Sequence, residues 1–171
     1  MRTIGFGLAL AGMALTTAAQ VPENVASIPN YRAVTPGLAT AGQPSPEGLR
    51  SLKEMGFKTV INLQTDEEKG VREEEAAAQQ LGLNYIKVPL TAATLSQDKV
   101  DQVRRALEDE SSGPILLHCA SANRVGAVWT VIEVQRGKSY EEALAAGKVI
   151  GLKSAPLIEA VDKLLGRTKQ P

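Results

Sequence analysis

Cys119 and Arg124 are the residues of this chain whose types and spacing point most directly to chemistry. They bracket Ala120-Ser121-Ala122-Asn123, and His118 precedes them; Cys119 and His118 are the single cysteine and the single histidine. Upstream, Ile115 to His118 reads as a buried strand opened by the apolar Ile115-Leu116-Leu117. Downstream, Val125-Gly126-Ala127 opens a helix with small residues. A loop between a strand end and a helix start converges backbone N–H groups on one spot, and the helix dipole adds positive potential there. That environment favours an anion, either a thiolate on Cys119 or a bound oxyanion. Arg124 adds a planar, permanently charged fork suited to a tetrahedral oxyanion. The chemistry implied is a thiolate nucleophile with its own anion cradle. The competing reading makes Cys119 a small apolar residue closing a core strand.

The elements around this loop alternate between strand and helix patterns. Tyr31 to Val34 and Leu38 to Ala41 read as short strands around a Thr35-Pro36-Gly37 turn. Ser45 caps a helix with Pro46 in its first position, running to about Met55. Thr59 to Leu63 is a β-branched, apolar strand, followed by the polar loop Gln64 to Glu68. A helix from Val71 to Leu81 and a strand from Asn84 to Val88 come next, and Ser96 caps a helix through Glu110. After Arg124 the pattern gives helices over Val125 to Arg136, Tyr140 to Ile150 and Ala155 to Leu165. This order predicts an α/β three-layer sandwich with a central, mainly parallel sheet flanked by helices. In such a sheet ligands bind beyond the carboxyl ends of the strands, which places Cys119 and the loop around Asp66 at one edge.

Residues 1–19 read as a secretory signal: Arg2 is the positive start, Ile4 to Ala14 the apolar stretch, and Thr17-Ala18-Ala19 the cleavage site. An uncleaved anchor is the alternative. Residues 20–171 then form a single domain, exported to the periplasm or secreted, with no other membrane segment. The chain has 19 basic and 19 acidic side chains, so no cationic surplus favours nucleic acid or an anionic membrane. One cysteine excludes an internal disulfide. With one histidine as well, it gives no metal-ligand set, and no cofactor is expected.

His118-Cys119-x-x-x-x-Arg124 resembles the cysteine-dependent phosphatases of the tyrosine and dual-specificity type. Gly42-Gln43-Pro44, the strand from Phe57 to Leu63, Tyr85 to Pro89 and Gly113-Pro114 narrow the resemblance. Together they are similar to the bacterial beta-lactamase hydrolase-like protein, phosphatase-like domain family, over roughly residues 28–135. The resemblance implies phosphomonoester hydrolysis, with Ala120, Ser121, Ala122, Asn123 and Arg124 forming the oxyanion loop and His118 orienting the cysteine. The substrate would be a protein phosphotyrosine or phosphoserine, or a small phosphoester.

Four departures from the common phosphatase pattern matter chemically. The loop holds four residues between cysteine and arginine instead of five, which removes one N–H donor from the cradle. Ala122 stands where that pattern carries glycine; if the position needs positive φ, alanine costs about 1 kcal/mol or more. Val125 replaces a serine or threonine. No carboxylate lies in Leu90-Thr91-Ala92-Ala93-Thr94, where the general acid is expected. Asp66, in the loop after a predicted strand, is one candidate for a substitute acid, against the reading of a solvated loop carboxylate or a helix cap. Asp98 is a second candidate, although it falls in the first turn of a helix. Glu67, Glu68 and Glu73 to Glu75 read as a solvated helix start.

Two other functions fit the same residues. A six-residue cysteine loop suits sulfur transfer from a sulfane-sulfur donor through a persulfide, which needs no acid. A degenerate phosphatase fold binding an oxyanion or a phosphorylated partner is the non-enzymatic reading.

Overall fold

Five strands share one sheet in the order β1-β2-β5-β3-β4. They are β1 (Arg32–Thr35), β2 (Leu38–Ala41), β3 (Thr59–Asn62), β4 (Asn84–Lys87) and β5 (Ile115–His118). The computed structural model describes Val25 and residues 27–167; the segment read as a secretory signal lies outside the described residues. Only β1 and β2 pair antiparallel, with an irregularity between Ala33 and Thr35; every other pairing is parallel. The registers bring Ala41, His118, Asn62 and Lys87 into one row, so the loops after β2, β5, β3 and β4 leave from one edge.

Helices cover both faces. On one lie α1 (Pro46–Glu54) and α2 (Val71–Gln80). Leu49, Leu52 and Ala78 pack there with Ala39, Ala41, Val60 and Leu116 of the sheet. On the other lie α3 (Gln97–Glu108), α4 (Asn123–Gln135), α5 (Tyr140–Ile150) and α6 (Ala155–Leu164). Val100, Val103, Val128, Ile132 and Val161 meet Ile61, Ile115 and Leu117 on that face. Even-numbered residues of β3 and β5 therefore face α1 and α2, and odd-numbered ones face α4, as the two-residue pleat requires. The three-layer sandwich read from the sequence is the architecture found.

Helix starts follow local capping. Ser45 Oγ accepts from Gly48 N at 3.1 Å and Pro46 opens α1; Ser96 Oγ accepts from Lys99 N and opens α3. Two boundaries differ from the sequence reading by two residues, and the others that differ do so by one. The helix predicted through Glu110 stops at Glu108, because Asp109 turns extended and its carboxylate accepts from Ser111 N and Oγ, starting a separate 3-10 turn over Glu110–Ser112. The helix predicted from Val125 starts at Asn123, because Ala122 takes the left-handed conformation and Gly126 N donates to Ala122 O at 3.0 Å. Asn123 and Arg124 thus belong to the first turn of α4, and the loop proper shrinks to Cys119–Ala122.

Candidate active site

β5 is the central strand, and it runs His118 and Cys119 to the carboxyl edge between the ends of β2 and β3. The loop that follows is held from both sides. Gln43 N donates to Ala120 O at 3.3 Å, and Asn30 Nδ2 donates to Ser121 O at 3.4 Å. On the far side Asn123 Oδ1 accepts from Lys153 N at 2.8 Å and Ser154 N at 3.0 Å, which ties α4 to the start of α6. Ala122 sits at φ 63° and is fully buried against Gly151. The position does require positive φ, the condition under which alanine is strained. Gly151 has φ 151°, and any Cβ there would lie 2.9 Å from that of Ala122. Helix α4 has no side-chain cap, so its first N–H groups face the loop without an intramolecular side-chain acceptor.

Cys119 is 1% exposed and borders the α4-side core. Its thiol is among the groups that favour the charged form of Arg124, which puts it within the electrostatic reach of the guanidinium. Arg124 is itself anchored. Nη1 and Nη2 donate to Glu68 Oε1 and Oε2 at 2.6 and 2.7 Å, and Nη1 also reaches Leu90 O at 3.2 Å and Leu63 O at 3.4 Å. These bonds consume the end of the fork. They leave the adjacent edge, Nε–H and the second Nη2 hydrogen, without an oxygen acceptor among the described residues. That edge can donate to a phosphoryl oxygen. The Arg124 bonds hold the Glu68 carboxyl well below the usual range, at about 2, with a backbone bond from Thr65 N (2.8 Å) adding to this. Glu68 in turn pushes Arg124 further up, and Cys119 contributes in the same direction.

Beneath the loop, on the α1 and α2 face, lies a buried polar chain. His118 Nε2 is 2.9 Å from Glu74 Oε1 but off the axis of a hydrogen bond, and both side chains are buried. Tyr85 Oη donates to Glu74 Oε1 at 2.7 Å, Asn62 Nδ2 donates to Tyr85 Oη at 2.8 Å, and Asn62 Oδ1 accepts from Gln64 N at 2.8 Å. Burial, and then the Glu74 carboxylate, pushes the Tyr85 phenol upward. His118 is thus part of a framework under the nucleophile and does not line the cradle. Among the described residues no group of three or more histidine, cysteine or acidic side chains could hold a metal.

The structure brings Cys119, Arg124 and the Ala120 to Asn123 loop together. Asp66 is in an ion pair with Lys87 Nζ at 3.0 Å, with Lys87 also held by Glu75 at 3.0 Å. Asp98 accepts from Gln102 Nε2 at 2.7 Å in the first turn of α3. The acidic residues between 67 and 75 are not uniformly solvated as expected. Glu68 clamps Arg124 and Glu74 is 3% exposed. Both carried a legible signal. Thr65-x-x-Glu68 has capping-box spacing, and Glu74 shares a helical face with Val71 and Ala78, the buried residues of α2.

The model of the family described as "Beta-lactamase hydrolase-like protein, phosphatase-like domain" matches residues 30–135. The beta-lactamase hydrolase-like protein of Xylella fastidiosa is 29% identical over 113 residues, 64% of this chain and 26% of the relative. The chain thus spans about a quarter of the length of the curated relatives it matches. A DUF442 protein of Shewanella putrefaciens is similar in structure, with a TM-score of 0.67 and 19% identity, covering 85% of this chain and 97% of the other. TpbA of Pseudomonas aeruginosa, crystallised as a cysteine-to-serine variant with pTyr, gives 0.63 and 21%, covering 81% and 90%.

Proposed function

This chain belongs to the beta-lactamase hydrolase-like protein, phosphatase-like domain family, and from that premise we propose that it hydrolyses phosphomonoesters with Cys119 as nucleophile. The observation that carries this reading is the Arg124 guanidinium, anchored by both oxygens of Glu68 with its Nε–Nη2 edge left for an acceptor, five residues after Cys119 on the same loop. The sulfur, as thiolate, attacks phosphorus, while the first-turn N–H groups of α4 and the Arg124 edge hold the non-bridging oxygens. Water then cleaves the thiophosphate. Glu68 keeps the fork at the right height, and the His118–Glu74–Tyr85 chain supports the strand end from below. The pTyr bound by TpbA makes phosphotyrosine a natural first probe. From the reading of residues 1–19 as an export signal we also propose that the protein works outside the cytoplasm; N-terminal sequencing of the protein recovered from each cell fraction tests that part.

The test of activity uses the full chain and an activated aryl phosphate. Phosphate release in the wild type and none in Cys119→Ser supports the reading. Thiocyanate production from thiosulfate and cyanide, with no phosphate release, assigns sulfur transfer instead. Silence in both, with Cys119→Ser still binding inorganic phosphate, leaves an oxyanion-binding module.

A further inference from the structure

The loop after β4 reaches the site, because Leu90 O accepts from Arg124 Nη1 at 3.2 Å. It continues as Thr91-Ala92-Ala93-Thr94-Leu95, which holds no carboxyl group. Its polar groups are spent on each other: Thr91 N donates to Thr94 Oγ1 at 2.9 Å, and the two hydroxyls lie 3.3 Å apart. The carboxylate nearest the fork, Glu68, has both oxygens on Arg124 and ionises at about 2, so near neutrality it has no proton to give. Asp66 is held by Lys87, and Asp98 by Gln102 at the positive end of α3. Glu67, exposed beside Glu68, is the loop's remaining carboxyl.

Resting on the phosphatase reading above, we propose that this site acts on phosphoryl groups carried by acidic oxygens, those of activated phenols and phosphoanhydrides, and turns over alkyl phosphates poorly. In the first step the S–P bond forms as the P–O bond breaks. The bond's electron pair stays on the leaving oxygen, which departs as an anion and is protonated afterwards by water. In the second, a water oxygen bonds to phosphorus, the S–P pair returns to Cys119, and the water proton passes to solvent with the phosphate. Neither step draws a proton from the protein. A positioned general acid is ordinarily worth ~10²–10⁴-fold, and that factor is what a poor leaving group loses here. Serine esters lose it in full. Tyrosine, whose phenol ionises near ~10, lies between the extremes.

The experiment measures kcat/KM of the full chain for aryl phosphates of graded phenol acidity and for O-phosphoserine, with the wild type and the variants Glu67→Gln, Asp66→Asn and Asp98→Asn. A steep fall along the series, at least ~10²-fold from the most to the least acidic phenol, with phosphoserine lower still and the three variants within about threefold of wild type, supports the proposal. A flat series overturns it and leaves the phosphatase reading standing. So does a variant that loses tenfold or more on the least acidic phenols while keeping the most acidic one, since that residue is then the acid. No turnover of even the most activated phenyl phosphate overturns the phosphatase reading itself, and the proposal with it.

Discussion

Glu68 and Arg124 stand 56 residues apart in the chain and meet end-on, 2.6 and 2.7 Å across two parallel bonds. The pair fixes which edge of the guanidinium is left for a ligand. Glu68→Gln cannot accept two charge-assisted bonds, so the fork tilts and its free edge leaves the oxyanion position. A displacement of that kind costs on the order of 10–100-fold in kcat/KM. Steady-state kinetics on an aryl phosphate checks this, with Arg124→Lys as the companion, because a lysine is a point charge and offers no fork. Activity equal to wild type in Glu68→Gln removes the positioning role.

The same pair makes stability depend on acid. The Glu68 carboxyl falls from an ordinary 4.5 to about 2 in the fold, so its contribution is complete above about 4.5 and is lost as pH drops toward 2. The pair is partly exposed, so roughly 1–2 kcal/mol is expected after screening. Urea midpoints at pH 7 and pH 3 should drop less in Glu68→Gln than in the wild type. Equal drops would show that the pair does not stabilise the fold.

Glu74 is a different case, because it is buried with two partners. Glu74→Ala takes from Tyr85 Oη its acceptor and from His118 the carboxylate 2.9 Å away, and leaves a gap in a buried site, a loss of about 2–4 kcal/mol. Tyr85→Phe removes one donor and should cost about 1 kcal/mol. Equilibrium unfolding separates the two, and a Glu74→Ala cost below that of Tyr85→Phe would contradict the network described.

Gly126 carries the packing of α4 on α5. A Cβ there would lie 2.4 Å from Gly147 O and 2.7 Å from Leu152 N. Gly126→Ala gains about 1 kcal/mol of helix propensity and still loses about 1–3 kcal/mol net by overpacking. It also pushes the segment whose Lys153 and Ser154 N–H groups hold Asn123. Both the melting temperature and kcat/KM should fall; a stabilised variant would mean that the helices part without cost.

Much of this arrangement was legible beforehand where the controlling interactions are local. β2, β5 and α5 have the predicted bounds because apolar runs, turn residues and the Ser139–Glu142 capping box act within a few residues. Cys119 and Arg124 stood out for the same reason, being five positions apart on one loop. The start of α4 was not legible. No side chain caps it, and its geometry comes from a left-handed Ala122 packed on Gly151, 29 residues later in the chain. For Glu68 the Thr65-x-x-Glu68 spacing marks the local bond to Thr65 N, but a run of acidic residues does not show that one of them meets an arginine 56 positions away. Glu74 was hidden less well, its phase with Val71 and Ala78 marking the buried face.

Rapid acid quench of the full chain during turnover of an activated aryl phosphate, followed by intact-mass and peptide mass spectrometry, tests the nucleophile most directly. The account predicts one phosphoryl group on Cys119, absent in Cys119→Ser together with all phosphate release. Phosphate release at the wild-type rate from Cys119→Ser, or a phosphoryl group trapped on any other residue, would contradict it.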